Sequence, residues 1–429
     1  MPPGVTLVPI DGGPDYFARW SNTLPTDPGF FPIGVWNETL ADLTWIQQYK
    51  NLGITTFVSL YNGVTTPMLD AIRDAGMYVV GGATGPTTDP GPVFAARHFA
   101  DEPDGIYVCD NGLPSWLASL CSGVPGSPTY ASSVAAMSDE LARRDPTRPV
   151  FNQYTKPVAL PGYGSPHSAG DLRIFAKAGD ITSFDYYPVS DPWTPGQVWD
   201  IYRATRNTRD LAERTQPVWV FIETSYIFPE TWGTRRSPTP AQVQDEVWQA
   251  IIGGARGIEY FNHNFYEQDP SQPPTQHLLI EPDYATMATA VRDVNARVKR
   301  LAPVINAPFA EGFVQASGAT SVMAKYADGS FYVFAATGQA TTQQVTFTLT
   351  GIDGATAVAL DEGRSIPVVA GRFSGSFPGG TGVHVYRIDL PTAPTTTPTT
   401  VAPTTTVKPG RRLGWFGRIK AFATRWYFR

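Results

Sequence analysis

The sequence is poor in the residues that most often announce chemistry. Of 429 residues only 2 are Cys and 5 are His, and charged residues make up 16%. Two cysteines, Cys109 and Cys121, cannot staple a small disulfide scaffold. They either close one short loop or remain two buried thiols. No His or Cys pair has the spacing of metal ligands, so a zinc site is not expected, and no cofactor is implied. A G-x-S-x-G elbow is missing, as are a G-x-G-x-x-G turn and a phosphate loop after the first strand, which removes the usual serine-hydrolase and nucleotide-binding readings. No run of about 18 apolar residues is long enough to span a membrane. The first ten residues lack the basic and apolar regions of a signal peptide, so none is expected.

What the chain does have is apolar bulk and aromatic rings. Hydrophobic residues reach 42% and aromatic ones 12%, with 11 Trp. Such an excess suits a protein that stacks rings on flat apolar faces such as those of sugars, although large cores also use Trp. The net charge of −6 is uneven. Seven cations, Lys408, Arg411, Arg412, Arg418, Lys420, Arg425 and Arg429, follow residue 390 without an acid, and the remaining 25 cations against 38 acids leave the body at −13. An acidic body argues against nucleic acid as a partner.

Strand-like and helix-like stretches alternate about every 30 residues. Strands are expected at Phe31–Trp36, Ile54–Leu60, Met77–Gly82, before Asp101, Val150–Gln153, Asp180–Pro188, Pro217–Glu223 and Gly257–Phe261. Amphipathic helices separate most of them, and the link from the third strand to the fourth is too short for a long one. Eight parallel strands with helical crossovers predict an α/β fold, a (β/α)8 TIM barrel over residues 1–300; an open doubly wound sheet is the structural alternative. From about Ala302 short β-rich runs separated by Gly, Asp and Asn predict a small antiparallel β-sandwich over 301–390. Residues 391–410 form a Thr/Pro-rich linker. In the tail, 411–429, Trp415, Phe416, Ile419, Phe422 and Trp426 fall on one side of a helical wheel. It reads either as a basic amphipathic helix for an anionic surface or protein partner, or as a disordered basic tail.

Acid sits where two of these strands stop. Ala96–Asp104 reads A-R-H-F-A-D-E-P-D, and Pro103 marks the strand's end because proline cannot donate to a ladder. The strand Pro217-Val-Trp-Val-Phe-Ile-Glu223 also ends on Glu. In a barrel of this kind the active site lies at the carboxyl ends of the strands, so Glu102 and Glu223 are expected to face one another across the mouth. Two such carboxyls are the minimum needed to split a glycosidic bond. Asp101 and Asp104 are expected to raise the proton affinity of Glu102, and Tyr186 or Tyr187 to keep Glu223 ionised by a hydrogen bond. Asp185 is a rival third carboxylate, and Glu259, inside the eighth strand, is expected to be buried and hydrogen-bonded. Trp36, Asn62, Asn152, Gln153, Asp185, Tyr186, Tyr187, Asn262, His263 and Asn264 end their strands with the amide, phenol and aromatic groups that hydroxyl-rich ligands need.

The Asp-Glu-Pro motif after the fourth strand and the Glu closing the seventh resemble the clan A retaining glycoside hydrolases over about residues 30 to 300. The resemblance implies Glu102 as general acid/base and Glu223 as nucleophile. It departs from the pattern at Asp101, where Asn is more usual, and so leaves the sugar open. The expected function is hydrolysis of O-glycosidic bonds in a polysaccharide or cell-envelope glycan. Inversion is the alternative if the two carboxyls lie beyond about 6.5 Å. A catalytically silent carbohydrate-binding barrel in an envelope- or particle-associated assembly is the alternative from another class. The absent leader with the Thr/Pro spacer and cationic tail suggests export by another route, as in a phage particle or lysis system.

Overall fold

The computed structural model describes residues 1–390 except 87, 106–107, 111–112, 162–165, 193–195, 228–233, 235, 264–276, 340 and 380–381. The Thr/Pro linker, the basic tail and Asn264 lie outside the described residues.

The chain opens with β1 (Thr6–Val8), then enters a barrel of eight strands: β2 (Ile33–Trp36), β3 (Thr56–Val58), β4 (Tyr78–Gly82), β5 (Phe94–His98), β6 (Val150–Tyr154), β7 (Ile181–Phe184), β8 (Val218–Glu223) and β9 (Gly257–Phe261). All neighbours pair in parallel, and β9 returns to β2 through Ile258 opposite Ile33, so the sheet closes. The helices between them are α1 (Trp45–Asn51), α2 (Thr66–Asp74), α3 (Ser115–Ala118), α4 (Pro128–Arg144), α5 (Lys156–Ala159), α6 (Ala169–Lys177), α7 (Asp200–Leu211) and α8 (Pro240–Gly253), with α9 (Ala285–Ile305) after the last strand.

Local sequence explains several boundaries. Thr239 caps α8 with a capping box to Gln242, Pro240 fills the first turn where no N–H is needed, and Gly254 takes the left-handed φ of 101° just past the end. Ser168 and Asp171 form the same box on α6. Between β4 and β5 only a 3-10 turn (Gly91–Val93) remains, the reduced crossover expected from the short link. The long insertion after β5 carries α3, and its two cysteines are bonded to each other with Cα atoms 5.8 Å apart.

Beyond α9 come β10 (Phe309–Glu311), β11 (Val314–Ala316), β12 (Ser321–Ala327), β13 (Ser330–Thr337), β14 (Gln343–Leu349), β15 (Thr356–Ala359), β16 (Arg364–Pro367), β17 (Arg372–Phe377) and β18 (Gly382–Asp389). They form a seven-stranded antiparallel sheet, β1-β10-β12-β13-β18-β15-β16, facing a three-stranded one, β11-β14-β17. The first strand corrects the boundary read from the sequence. β1 belongs to this sheet, with Thr6 opposite Glu311, rather than to the barrel; a three-residue strand at the chain start shows too little alternation to declare its partner.

The sheet is buried on both faces. Phe331, Val333 and Ala335 of β13 join the core between the two sheets, while Phe334 and Ala336 join the core shared with α8 and α9. Trp248 of α8 lies 6.2 Å from Phe334, ring centre to ring centre. The buried pair Arg209–Asp11 ties α7 to the segment after β1, with Arg209 Nη2 donating to Asp11 at 2.8 Å. One shared apolar seam makes the sandwich a buttress for the barrel wall.

Candidate active site

Side chains alternate between the two faces of a strand, so every barrel strand sends one residue in two inward. On β6 this puts Phe151 and Gln153 inside and Asn152 and Tyr154 outside; just after β7, Asp185 and Tyr187 are inside and Tyr186 outside. At the carboxyl ends the inward set opens into a cavity of about 250 Å³. Three carboxyls line it (Asp101, Glu102 and Asp185), with two amides (Asn37 and Gln153) and an apolar wall of Trp36, Tyr187, Phe221, Ile227 and Phe261. The rings brace each other: Trp36 and Phe221 are 5.2 Å apart at their centres, and Tyr187 and Phe261 5.3 Å.

The Asp-Glu-Pro-Asp turn is pinned from all sides. Glu102 takes the left-handed region with φ of 46°, which is rare for a residue with a side chain and rarer still before proline. Its N–H donates to Gln153 Oε1 at 3.0 Å, and its carbonyl accepts from Gly105 N–H at 2.9 Å. The Tyr130 hydroxyl donates to the Pro103 carbonyl at 2.8 Å, and the Asp104 carboxylate turns away from the cavity to accept from Thr155 N–H at 2.9 Å. Backbone strain held in place by so many partners is a mark of a functional position.

Glu102 and Asp185 are hydrogen-bonded carboxyl to carboxyl, which requires a proton between them. Burial holds the Asp185 carboxyl well above the usual carboxylate range, and the charge of Glu102 and the bond to it push in the same direction. Burial, with Glu102 and Asp104 adding, raises Asp101 to about 7; its side chain meets solvent, and water screens part of that effect. Burial likewise raises Asp104 to about 6. Beneath the cavity Glu259 is fully buried, accepts a hydrogen bond from Ser183 as a carboxyl in that position must, and is pushed up to about 8.

The remaining sequence candidates are placed differently. Glu223 ends β8 as expected, but its side chain has no solvent exposure and does not line the cavity. Its Oε1 accepts from Val189 N–H at 2.7 Å and its Oε2 from Ser190 N–H at 2.8 Å, so backbone amides fill the role expected of Tyr186 or Tyr187. Asn152 is a correction. Its amide points outward, donating to Ser138 Oγ at 2.9 Å and the Ala178 carbonyl at 3.1 Å, because it has the outward parity on β6. Tyr186 is buried on the outer face with the Lys156 ammonium 4.7 Å from its ring centre. Asn62 is exposed in the loop after β3 and away from the cavity. His263 is fully buried behind Phe261, with Nε2 bonded to the Trp36 carbonyl, and burial depresses it to about 4. Asn262 holds Glu38 and Tyr49 at 2.9 and 2.8 Å rather than a ligand.

Asn37, Phe221, Ile227 and Phe261 line the cavity without having been singled out in the sequence. Phe221 and Phe261 were within reach of strand parity, lying two residues from Glu223 and Glu259 on their strands. Among the described residues no group of three His, Cys, Asp or Glu is arranged to hold a metal ion. No described helix is long and apolar enough to cross a membrane.

No family model matches the chain, and no curated protein matches it in sequence. Among solved structures it is similar to a GH42 β-galactosidase from G. stearothermophilus, with 9% identity over 86% of this chain and 99% of that one and a TM-score of 0.56. It is similar also to a β-galactosidase from Bacillus circulans sp. alkalophilus, with 9% identity over 83% and 99% and a TM-score of 0.55. The likeness is one of fold. Here, as the sequence predicts, a closed barrel of eight parallel strands with helices is followed by antiparallel sheets.

Proposed function

We propose that the protein is an O-glycoside hydrolase whose proton donor is the Glu102–Asp185 pair. The observation that carries this reading is the contact of Glu102 with Asp185 at the carboxyl-end mouth of the barrel, in a cavity walled by aromatic rings. The Glu102–Asp185 pair delivers its shared proton to the glycosidic oxygen while the bond from that oxygen to the anomeric carbon breaks, its electrons leaving with the alcohol. Water then adds to the anomeric carbon and gives up a proton to a carboxylate, which restores the starting charge. A hydrogen-bonded pair is closer than the roughly 5 Å of a retaining pair or the roughly 6.5–9.5 Å of an inverting one. Glu102 and Asp185 thus work together on one side of the ring, and Asp101 is the carboxylate left to face the developing charge.

Three carboxyls and no cationic side chain among the described lining residues favour a neutral or amine-bearing sugar over a uronate. The test is a hydrolysis screen over neutral, amine-bearing and acidic glycans, with reducing ends counted for the wild type and for Glu102→Gln. Release from neutral or amine-bearing glycans that vanishes in the variant supports the reading. One observation favours the second reading, a silent carbohydrate-binding barrel: Glu223 is enclosed and its oxygens are held by backbone amides. Binding without hydrolysis across the whole panel would establish that reading instead.

A further inference from the structure

Behind the cavity lies a second carboxyl pair that the proposed reaction does not consume. Glu223 at the end of β8 and Glu246 on α8 are both without solvent exposure, and their carboxyls are hydrogen-bonded to each other. As with any two adjacent carboxyls, the contact needs a proton. Burial and the neighbouring charge of Glu223 push Glu246 well above the usual carboxylate range; burial raises Glu223 as well, and the amides of Val189 and Ser190 oppose that shift. A proton between the two acids lets them lie together, and the geometry that holds Glu223 is its grip on two backbone N–H groups.

Those amides belong to the turn that follows Asp185 and Tyr187, two residues of the cavity wall. Other groups hold the same turn by its opposite polarity. Arg236 donates to the carbonyls of Val189 at 3.1 Å and Asp191 at 3.0 Å, and Lys156 pairs with the Asp191 carboxylate at 3.0 Å. The Asp191 N–H in turn bonds the Tyr187 carbonyl at 3.0 Å. An anion on the amides and cations on the carbonyls leave a short turn little freedom. From these contacts we infer that Glu223 is a positioning residue: backed by Glu246, it clamps Val189 and Ser190, and so fixes Asp185 against Glu102. This rests on the hydrolase reading for its effect on rate, but the clamp itself is a property of the fold.

The test joins two measurements. Amide hydrogen exchange at Val189 and Ser190 is slow in the wild type and accelerates at least tenfold in Glu223→Gln, whose side chain can no longer accept from both amides. On a glycan the wild type hydrolyses, Glu223→Gln loses about a hundredfold in kcat/KM, the scale expected for a small misplacement of a reacting group. Its lost activity is not restored by azide, and no fluorosugar becomes attached to residue 223 in the wild type. Glu246→Leu, which removes the acid behind Glu223 without touching the cavity, shows the same faster exchange and a loss in kcat/KM in the same direction. Glu246→Gln, which can still donate, loses less than Glu246→Leu. Azide rescue of Glu223→Gln, a fluorosugar adduct on Glu223, or rapid exchange of both amides in the wild type would each overturn the assignment. If the wild type hydrolyses no glycan, the hydrolase reading fails while the exchange data still decide whether the clamp exists.

Discussion

Two carboxyl pairs occupy the same end of one barrel, and they differ in what surrounds them. Glu102 and Asp185 are half-buried and open onto the cavity, so the proton they share can reach a ligand. Glu223 and Glu246 are sealed between β8, α8 and the turn after β7, and their proton has no outlet. Similar side chains at similar contact yield a chemical group in one place and a bracket in the other. What separates them is access to solvent and the number of backbone amides already satisfied by the carboxylate.

The largest expected way to break this contrast is Glu102→Gln, which removes one of the two acids that hand over the proton. We expect kcat to fall by about a thousandfold, within the range for general acid catalysis, with the fold unchanged by circular dichroism. Asp185→Asn leaves Glu102 in place but ends the sharing. Because Asp185 keeps a proton in the pair to higher pH, its loss should move the alkaline limb of kcat/KM to lower pH and cost about a hundredfold at neutral pH.

A subtler effect concerns stability. Glu259 has its carboxyl raised in the folded state from 4.5 to about 8, so the stability it contributes is complete below about 4.5 and is lost as pH rises through about 8. Glu259→Gln should therefore gain in melting temperature relative to the wild type at pH 9 compared with pH 5. His98 and His263 act in the other direction. Both are depressed by burial from 6.5 to about 4, so stability present above pH 6.5 is lost as pH falls toward 4. Thermal melts from pH 4 to pH 9 should show both limbs. The smallest effect on rate belongs to the disulfide, which lies in the insertion and away from the cavity. Replacing Cys109 and Cys121 by Ala should lower stability by up to about 3 kcal/mol, the scale for so short a loop, while hydrolysis stays within about twofold.

Much of the barrel was legible along the chain. The eight strands and the reduced crossover before β5 were readable because a buried parallel strand is a short continuous apolar run, and Gly257–Phe261 and Pro240–Gly253 carried their own boundaries in caps and composition. Parity along a single strand was also available and would have turned Asn152 and Tyr186 outward. The partner of β1 and the strands β10, β11 and β16 were not, since three or four residues of mixed polarity show no period of their own, whereas the alternation of Arg372–Phe377 in β17 was available in the sequence.

By itself the sequence determined a closed parallel barrel backed by antiparallel sheets, and an acidic turn at Asp101–Asp104 that had to lie at the strands' carboxyl end. Local propensity and hydrophobic period suffice for that, because they act between residues close in the chain. Only the tertiary structure decided which second acid meets Glu102. Asp185 and Glu223 both come at the carboxyl ends of their strands, but one is left beside the cavity and the other is captured by Val189, Ser190 and Glu246. That choice depends on contacts between residues 23 to 83 positions apart, and on how much solvent each carboxyl keeps, which no stretch of sequence records.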